Sequence, residues 1–298
     1  MIADARELAH YFCVCCNTQF GGYEDYCGKC QTPVSLSQSV VAHGGGHTFI
    51  SVLGASSAGK TVYLGLLLDI LSKEPADFRG AAASAFSVGL QEHVVNELEN
   101  RSFPEKTPAE ADAWNWLHCK LTIAEKRSTR SVDLISPDFA GEAIAMEMQQ
   151  PGLYPVVANV VRRSSGILIL CDSVQVRDHG SGEDLFAMKL ASYIAEQHSL
   201  YGKPKGKAGK GPSLAIVFTK TDACPEAVED PTAFAANNAP RLYEFCRQTF
   251  RHQQYFAAGI AGSTGVISDN RGAQMRVPFH IQPYGVLEPL RWTLAAKA

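Results

Sequence analysis

The stretch FISVLGASSAGKT, residues 49–61, is an apolar run that gives way to small residues and ends in a lysine and a threonine. Its first half is short, apolar and β-branched, which is typical of a buried strand. The segment TVYLGLLLDILSKE, residues 61–74, follows at once and carries apolar residues at helical spacing. The stretch is therefore predicted to contain a strand, a tight loop and the start of a helix.

The loop has the spacing Gly54-x4-Gly59-Lys60-Thr61 of a phosphate-binding loop. Small residues let backbone N–H groups converge on a phosphate, and the following helix points the positive end of its dipole at the same place. Lys60 is predicted to supply a cation for the β- and γ-phosphates, and the Thr61 hydroxyl to ligate Mg²⁺. The predicted nucleotide-binding residues here are Gly54, Ser56, Ser57, Ala58, Gly59, Lys60 and Thr61. The alternative interpretation is a glycine- and serine-rich turn with an incidental lysine.

Length and composition limit the class of protein. With 298 residues, 46% of them hydrophobic, the chain can form one sizeable core and a small additional module. The formal net charge of −3 provides no overall basic field of the kind that attracts nucleic acids. The sequence has no apolar run of the roughly 20 residues that span a bilayer, and the N-terminal MIADARELAHYF lacks a signal-peptide pattern. We therefore expect a soluble cytoplasmic protein.

Short apolar runs alternate with amphipathic segments from residue 47 onward. Strands are predicted at 47–54, 114–126, 127–136, 166–173, 213–222 and near 255–262, and helices at 61–74, 85–100, 183–202, 233–250 and 286–298. The second and third strands follow each other directly and are predicted to form a hairpin. This alternation predicts an α/β fold of the P-loop NTPase type, a three-layer α/β/α sandwich whose mostly parallel sheet has one antiparallel edge hairpin.

Three further segments lie where ligands bind in such sheets, at or near the carboxyl ends of strands. PDFAGE, residues 137–142, follows the predicted strand SVDLIS. LAIVFTKTD, residues 214–222, is a buried strand that ends in polar residues. FPEKTP, residues 103–108, lies in the long loop before the strand at 114–126.

In this order, the phosphate loop, PDFAGE and TKTD resemble the motifs of TRAFAC-class, Ras-like P-loop GTPases. More narrowly, the FPEKTP loop and PDFAGE are similar to those of the bacterial double-GTPase (DO-GTPase) group, often encoded in conflict or defence-type systems. The resemblance implies that residues 41–298 form a Ras-like GTPase domain. It also implies a molecular switch that hydrolyses GTP and acts with partner proteins in such a system.

The resemblance assigns roles to residues of PDFAGE and FPEKTP. Asp138 would hold Mg²⁺ through water, the Gly141 amide would donate to the γ-phosphate, and Thr107 would close onto both the metal and that phosphate. Asp133 is a rival for the metal, but it lies inside the strand pattern and no glycine follows three residues later. The predicted Mg²⁺ residues are Thr61, Thr107 and Asp138.

Glu142 stands where many Ras-like members have the glutamine that orients the attacking water. This departure leaves open whether Glu142 accepts a proton from water or only caps a helix. No arginine finger can be recognised in the sequence, so we expect slow turnover that needs a partner. The predicted catalytic residues are Lys60, Thr107 and Glu142.

TKTD resembles the guanine-binding N/TKxD motif of GTPases. Guanine offers two donors on one edge, and a carboxylate has two acceptor oxygens, so Asp222 is predicted to select guanine over adenine. The stem of Lys220 would lie over the base plane, and Thr219 replaces the commoner asparagine. In AGSTG, Ser263 is expected to contact the guanine oxygen through its backbone. The alternative interpretation of TKTD is a strand that runs into a polar turn.

Five of the nine cysteines lie between residues 13 and 30. Two Cys-x2-Cys pairs, ten residues apart, predict two knuckles that together complete a tetrahedral Zn²⁺ site. The predicted ligands are Cys13, Cys16, Cys27 and Cys30. Residues 1–40 are therefore predicted to form a zinc ribbon, whose metal is structural because so short a segment has a small core. Cys15 is an alternative ligand, a redox pair is the alternative interpretation, and SVVAHGGGH, residues 39–47, is predicted to be a linker.

Two other functions fit the same motifs. A guanine-nucleotide-sensing scaffold that does not hydrolyse GTP is favoured by Glu142 in place of glutamine. A zinc-ribbon NTPase that binds nucleic acid would need a basic face, and the one clear lysine cluster lies in the glycine-rich loop 202–212. The expected partners are proteins that respond to the nucleotide state, or further copies of the chain. Neither a nucleic acid nor a membrane segment is expected.

Overall fold

A seven-stranded sheet forms the centre of the protein, in the order β2-β3-β4-β1-β5-β6-β7. The computed structural model describes residues 12–21, 24–42, 46–73, 77–110, 114–124, 128–179, 181–201, 211–268 and 274–295. The strands of the sheet are β1 (His47–Gly54), β2 (Phe78–Ala82), β3 (Trp116–Ala124), β4 (Thr129–Pro137), β5 (Ser164–Asp172), β6 (Ser213–Thr219) and β7 (Gln253–Ala257). A separate antiparallel pair consists of β8 (Gly259–Ser268) and β9 (Gln274–Tyr284).

Helices cover both faces of the sheet. They are α1 (Val34–Ala42), α2 (Lys60–Lys73), α3 (Ala85–Glu99), α4 (Gly141–Gln149), α5 (Pro155–Arg163), α6 (Ser173–His179), α7 (Ser181–Tyr201), α8 (Glu226–Glu229), α9 (Pro231–Asn238), α10 (Pro240–Thr249) and α11 (Glu288–Ala295). Within the described residues, no helix combines the length and the apolarity needed to cross a membrane.

Alternation along the central strands produces the two covered faces. Phe49 and Leu53 of β1 belong to one buried cluster, which includes residues of α4, α5, α7 and α10. Ile50 and Val52, which point to the opposite face, belong to a second buried cluster with residues of α2, α3 and α11. Because apolar side chains leave β1 on both faces, the strand is buried between two helical layers. The predicted three-layer α/β/α fold is confirmed.

The sheet is parallel at its centre and antiparallel at one edge. The pairs β1–β4, β1–β5, β5–β6 and β6–β7 are parallel, whereas β2–β3 and β3–β4 are antiparallel. The predicted hairpin is therefore present as β3–β4. The added edge strand β2 was not predicted, because FRGAA is short and contains a glycine, which weakens the strand signal.

Several other boundaries differ from the prediction. The helix expected over 233–250 is divided into α9 and α10, because Pro240 lacks the N–H that a continuous helix needs. Strand β9 was missed because Pro278 and Pro283 interrupt its pattern. Within the expected linker 39–47, Ser39–Ala42 are the last turn of α1, and residues 43–45 lie outside the described residues. Most of the lysine-rich loop, residues 202–210, also lies outside them.

Helix α1 runs across the predicted boundary between residues 40 and 41. Its Leu36 and Val40 belong to the same buried cluster as Phe49 of β1. The cysteine-containing segment is thus packed against the core of the sheet, and the division of the chain at residue 40 stays a prediction.

Candidate functional site

The phosphate loop joins the carboxyl end of β1 to α2, as the sequence indicates. Gly59 has a φ of +86°, a conformation that glycine adopts without steric cost. The Nζ of Lys60 donates to the carbonyl oxygens of Gly54 and Ala55, at 3.2 and 2.8 Å. Burial of the side chain lowers the pKa of Lys60 to about 8. A phosphate beside the ammonium would therefore stabilise the charged form that burial disfavours.

A cavity of about 480 Å³ opens over this loop. Its size lies within the range of small-molecule sites. Five segments line it: the phosphate loop, the loop before β3, the start of α4, the end of β5 with α6, and the end of β6 with the start of β8. Its lining includes Ser56, Ser57, Gly59, Lys60, Thr61, Phe103, Lys106, Thr107, Gly141, Glu142, Asp172, Gln175, Thr219, Lys220, Asp222 and Ile260. Segments that are far apart in the sequence thus meet at one site.

Three oxygen-bearing side chains meet at one side of the cavity. Thr61 Oγ1 donates to Asp138 Oδ2 at 2.8 Å, and Thr107 Oγ1 donates to the same carboxylate oxygen at 3.2 Å. The two threonine hydroxyls are 2.8 Å apart. Asp138 Oδ1 is buried and has no hydrogen-bond partner among the residues that the structure describes. A hard cation with oxygen ligands, such as Mg²⁺, fits this donor set and would use the remaining carboxylate oxygen.

Asp138 is almost completely buried, and burial raises the pKa of its carboxyl group. The rival Asp133 lies elsewhere, within β4, where its Oδ1 is 2.7 Å from Nε2 of the buried His118 on β3. Asp133 therefore belongs to a pair inside the sheet, whereas Asp138 contacts Thr61 and Thr107 of the cavity lining.

Helix α4 begins in direct contact with the phosphate loop. A Cβ atom at Gly141 would lie 2.3 Å from the backbone nitrogen of Ser56, so any larger residue would collide with the loop. Next to it, Glu142 Oε1 accepts a hydrogen bond from Ser56 Oγ at 2.7 Å. This hydrogen bond lowers the pKa of Glu142, so the carboxylate is ionised at neutral pH. The start of α4 is thereby tied to the loop through both backbone packing and a side chain.

The other end of the cavity contains TKTD. Thr219 Oγ1 donates to the carbonyl oxygens of Ala58 and Cys171, at 3.0 and 3.2 Å, and so ties the end of β6 to the phosphate loop. Lys220 has a left-handed φ of 57°, and its Nζ donates to Asp172 Oδ2 at 2.5 Å. This ion pair holds the ammonium of Lys220 at the place where the stem of the lysine is predicted to lie over the guanine base.

Asp172 was not predicted as a site residue, although it ends the apolar run GILILCDS. It is the register partner of Thr219 in the parallel pair β5–β6, which places it beside Lys220. Its Oδ1 accepts from the backbone N–H groups of Val174 and Gln175, at 3.0 and 3.2 Å. Asp172 thus caps α6 and holds Lys220 at once.

Asp222 lies in a single 3₁₀ turn, Thr221–Ala223, directly after β6. Its Oδ1 accepts from the N–H of Ile260 at 3.4 Å. Ser263 lies in β8, where its register partner is His280, and its predicted contact with the base stays a prediction. Phe103 is a further residue of the cavity that the sequence analysis did not single out, an aromatic side chain that is 38% exposed.

The four predicted zinc ligands form a cluster in which all sulfur atoms lie within 4.8 Å of one another. The Sγ atoms of Cys13 and Cys30 are 3.5 Å apart, as are those of Cys16 and Cys27. Tetrahedral zinc, with Zn–S bonds of about 2.3 Å, separates its sulfur ligands by about 3.8 Å, so the cluster fits this metal. Cys15 is buried but is not part of the cluster.

The backbone of the two knuckles repeats. Cys13 N donates to Thr18 O, and Cys27 N donates to Thr32 O, at 2.8 and 2.9 Å. The segment is joined to the rest of the protein by Arg163 of α5, whose Nη1 donates to Val14 O at 2.9 Å.

The chain is similar to several solved structures and to one protein family. The chain is similar to the structure assigned to nucleolar GTP-binding protein 1 of Plasmodium falciparum, with 11% identity, a TM-score of 0.39 and coverage of 84% of this chain and 86% of that one. It is also similar to the signal recognition particle receptor SRb-GTP/SRX complex from Chaetomium thermophilum, with 12% identity, a TM-score of 0.39 and coverage of 84% and 98%. No curated protein sequence matches the chain significantly. The sequence profile of Double-GTPase 2 matches residues 48–259. The chain therefore belongs to the Double-GTPase 2 family of P-loop GTPases.

Proposed function

We propose that the chain is a switch that binds GTP with Mg²⁺ and hydrolyses it slowly. Family and fold support GTP binding. The proposal of Mg²⁺-dependent hydrolysis rests on one observation: Thr61, Thr107 and Asp138 contact one another beside the phosphate loop. These residues come from three separate segments, and such a set of oxygen atoms suits a divalent cation between protein and phosphates.

The two ends of the cavity bind different parts of the nucleotide. Lys60 and the loop amides hold the phosphates, and Asp222 accepts hydrogen bonds from the base edge. When bound, Mg²⁺ would neutralise negative charge on the β- and γ-phosphates. The contacts of Thr219 with the phosphate loop keep these two ends at a constant distance from each other.

Switching would involve the two segments that meet at the γ-phosphate position. Thr107 belongs to the loop before β3, and Gly141 begins α4. Both lie against the phosphate loop, where a γ-phosphate would contact them, and loss of that phosphate after hydrolysis would remove its contacts with both segments together. We propose that a protein partner reads this change, as the double-GTPase resemblance implies.

Glu142 sets the expected rate. Its lowered pKa makes it an acceptor of hydrogen bonds but a weak base, because an efficient general base has a pKa near the working pH. None of the described residues that line the cavity is an arginine. We therefore propose a slow intrinsic rate, on the order of 10⁻⁴–10⁻² s⁻¹, that a partner raises by supplying a cation.

The hydrogen bond between Ser56 and Glu142 also supports a second candidate, a scaffold that binds GTP without hydrolysing it. In that case the ionised carboxylate would order α4 on the phosphate loop and take no part in chemistry. Single-turnover phosphate release separates the two functions. Slow phosphate release from GTP that requires the wild-type protein supports hydrolysis. Release that is no faster than from GTP in buffer alone supports the scaffold.

Binding itself is tested by titration with fluorescent GDP and GTP analogues in Mg²⁺, with ATP as competitor. We expect guanine nucleotides to bind and ATP to compete poorly. The variant Asp222→Asn, which is matched in size but has a donor NH₂ in place of one acceptor oxygen, should lose this preference and keep its thermal stability. Equal competition by ATP in the wild type would contradict the assignment of the base site.

We propose that the cysteine cluster binds one structural Zn²⁺. The geometry of its sulfur atoms supports this role. Metal analysis of the purified protein tests it, since the site predicts about one zinc per chain.

A further inference from the structure

The hairpin β8–β9 begins at the end of the cavity that contains TKTD, where the guanine base is proposed to bind. Gly259, its first residue, is the last residue matched by the family profile, so almost all of the hairpin lies beyond the region shared with the family. It forms no part of the seven-stranded sheet. Its first strand nevertheless contacts the 3₁₀ turn that carries Asp222.

The two ends of the hairpin meet at this turn. Tyr284, the last residue of β9, is the register partner of Gly259. A Cβ atom at Gly259 would lie 2.4 Å from ring atoms of Tyr284, so the phenol ring packs against the glycine backbone. From there its hydroxyl lies 2.8 Å from Oγ1 of Thr221, the residue that precedes Asp222. Both ends of the hairpin thus contact TKTD, because the N–H of Ile260 donates to Asp222.

The chain after the hairpin is anchored as well. The carbonyl oxygen of Val286 accepts a hydrogen bond from Tyr63 OH at 2.6 Å, and both residues are buried. Tyr63 belongs to α2, which starts at the phosphate loop. The chain is therefore anchored on both sides of Tyr284, by the hairpin before it and by the phosphate-loop helix after it, while the Tyr284 side chain itself is 36% exposed.

We infer that Tyr284 is a positioning residue for guanine recognition, which orients Asp222 through Thr221. To accept from both donors of guanine, the carboxylate must lie in the plane of the base. Asp222 sits on a turn of only three residues, which follows a left-handed residue, Lys220. The buried hydroxyl of Thr221 is one side-chain anchor of that turn, in addition to the hydrogen bond of Asp222 with Ile260, and Tyr284 is the partner of Thr221.

The protonation state of Tyr284 suits this role. Burial raises the pKa of its hydroxyl, and the nearby carboxylate of Asp222 raises it further. The group is therefore a neutral hydroxyl at physiological pH and can both donate and accept.

The inference rests on the proposed guanine site and is tested by comparing GDP with inosine diphosphate (IDP). IDP keeps the N1–H donor of guanine but lacks the exocyclic amine, so the ratio of the two affinities reports the second hydrogen bond to Asp222. Tyr284→Phe keeps the ring and removes the hydroxyl. We expect it to reduce the GDP/IDP affinity ratio roughly 3–10-fold, the effect of one hydrogen bond. Thr221→Val removes the other partner of the same hydrogen bond and should reduce the ratio equally.

Two controls separate positioning from general stabilisation. Tyr193→Phe removes a different buried tyrosine hydroxyl, which donates to Glu147 Oε1 away from the cavity, and it should lower the melting temperature without changing the GDP/IDP ratio. In an Asp222→Asn background, Tyr284→Phe should have no further effect on the ratio, because the residue through which it acts is gone.

An unchanged ratio in folded Tyr284→Phe protein, or an effect that persists fully in the Asp222→Asn background, would overturn the inference. The proposed function would survive either result, provided that the wild type prefers GDP to ADP and Asp222→Asn does not. If the wild type shows no such preference, the guanine site itself is wrong.

Discussion

The hydroxyls of Thr61 and Thr107 lie 2.8 Å apart, although 46 residues separate them in the chain. Thr61 lies in the first turn of the phosphate-loop helix, and Thr107 lies in the loop before β3, whose residues 102–108 have no regular secondary structure. Both donate to the same oxygen of Asp138. The loop thus reaches the side of the cavity where Mg²⁺ is proposed to bind, and this contact can be tested separately from the rest of the site.

Thr107→Ala is expected to weaken GTP binding in Mg²⁺ about fivefold while changing GDP binding much less. The reason is that Thr107 is proposed to contact the metal only when the γ-phosphate is present, and one such polar contact contributes on the order of 1 kcal/mol. The measurement is the ratio of GTP to GDP affinities with and without Mg²⁺. Thr129→Ala, an exposed threonine at the start of β4, is the matched control. An equal loss of GTP and GDP affinity would contradict this role.

Binding of GDP near pH 8 is expected to take up protons at Lys60. The pKa of this lysine is about 8 in the folded chain and about 10.5 for an ordinary lysine, so near pH 8 a fraction of the chains has it neutral. Diphosphate beside the ammonium favours the charged form and raises the pKa. Calorimetry in buffers of different ionisation enthalpy measures the uptake. Lys60→Arg, which stays charged, should abolish it.

The lowered pKa of Lys60 also makes the free energy of unfolding depend on pH. Between about pH 8 and 10.5 the unfolded chain binds more protons at Lys60 than the folded chain does, so its contribution to the free energy of unfolding rises with pH there. Below about pH 8 both states are protonated and the cost of burying the charge is constant.

If proton uptake on GDP binding were identical in Lys60→Arg, a group other than Lys60 would be responsible for the uptake.

Gly141→Ala is expected to lower the free energy of unfolding by roughly 1–3 kcal/mol, as overpacking does. The new methyl group would meet the backbone of Ser56, which cannot move without displacing the phosphate loop. Denaturant unfolding measures the change, and GTP binding should weaken in parallel. Gly89→Ala in α3 is the matched control, since a Cβ there meets nothing within 4 Å. In a helix interior that change should stabilise the chain by about 0.5–1 kcal/mol. Wild-type stability in Gly141→Ala would show that α4 does not pack on the loop as described.

Cys13→Ser is expected to remove the metal, and Cys15→Ser to leave it in place. Both residues are buried, but only Cys13 belongs to the four-sulfur cluster. Metal content per chain and thermal unfolding check the pair. Retention of zinc by Cys13→Ser together with its loss from Cys15→Ser would reassign the ligand.

Much of the protein could be predicted because the signals are local. The strand, loop and helix around residues 49–61 follow from apolar periodicity and from small residues at fixed spacing. The two cysteine pairs are equally local, since each knuckle is formed within four residues. The prediction was wrong where a local signal is weak or interrupted, as at β2, or where a single proline divides a helix, as at Pro240.

The sequence by itself determined the layered α/β fold, the position of the phosphate loop and the membership of the four cysteines in one group. Only the tertiary structure decided how distant residues complete the site. Asp172 meets Lys220 across 48 residues, and Tyr284 meets Thr221 across 63. Residues so far apart in the sequence are not neighbours within one helix or one strand, so no local periodicity predicts either contact. Their contact depends on the parallel register of β5 with β6 and on the return of a hairpin to its own starting point, which packing of the whole chain decides.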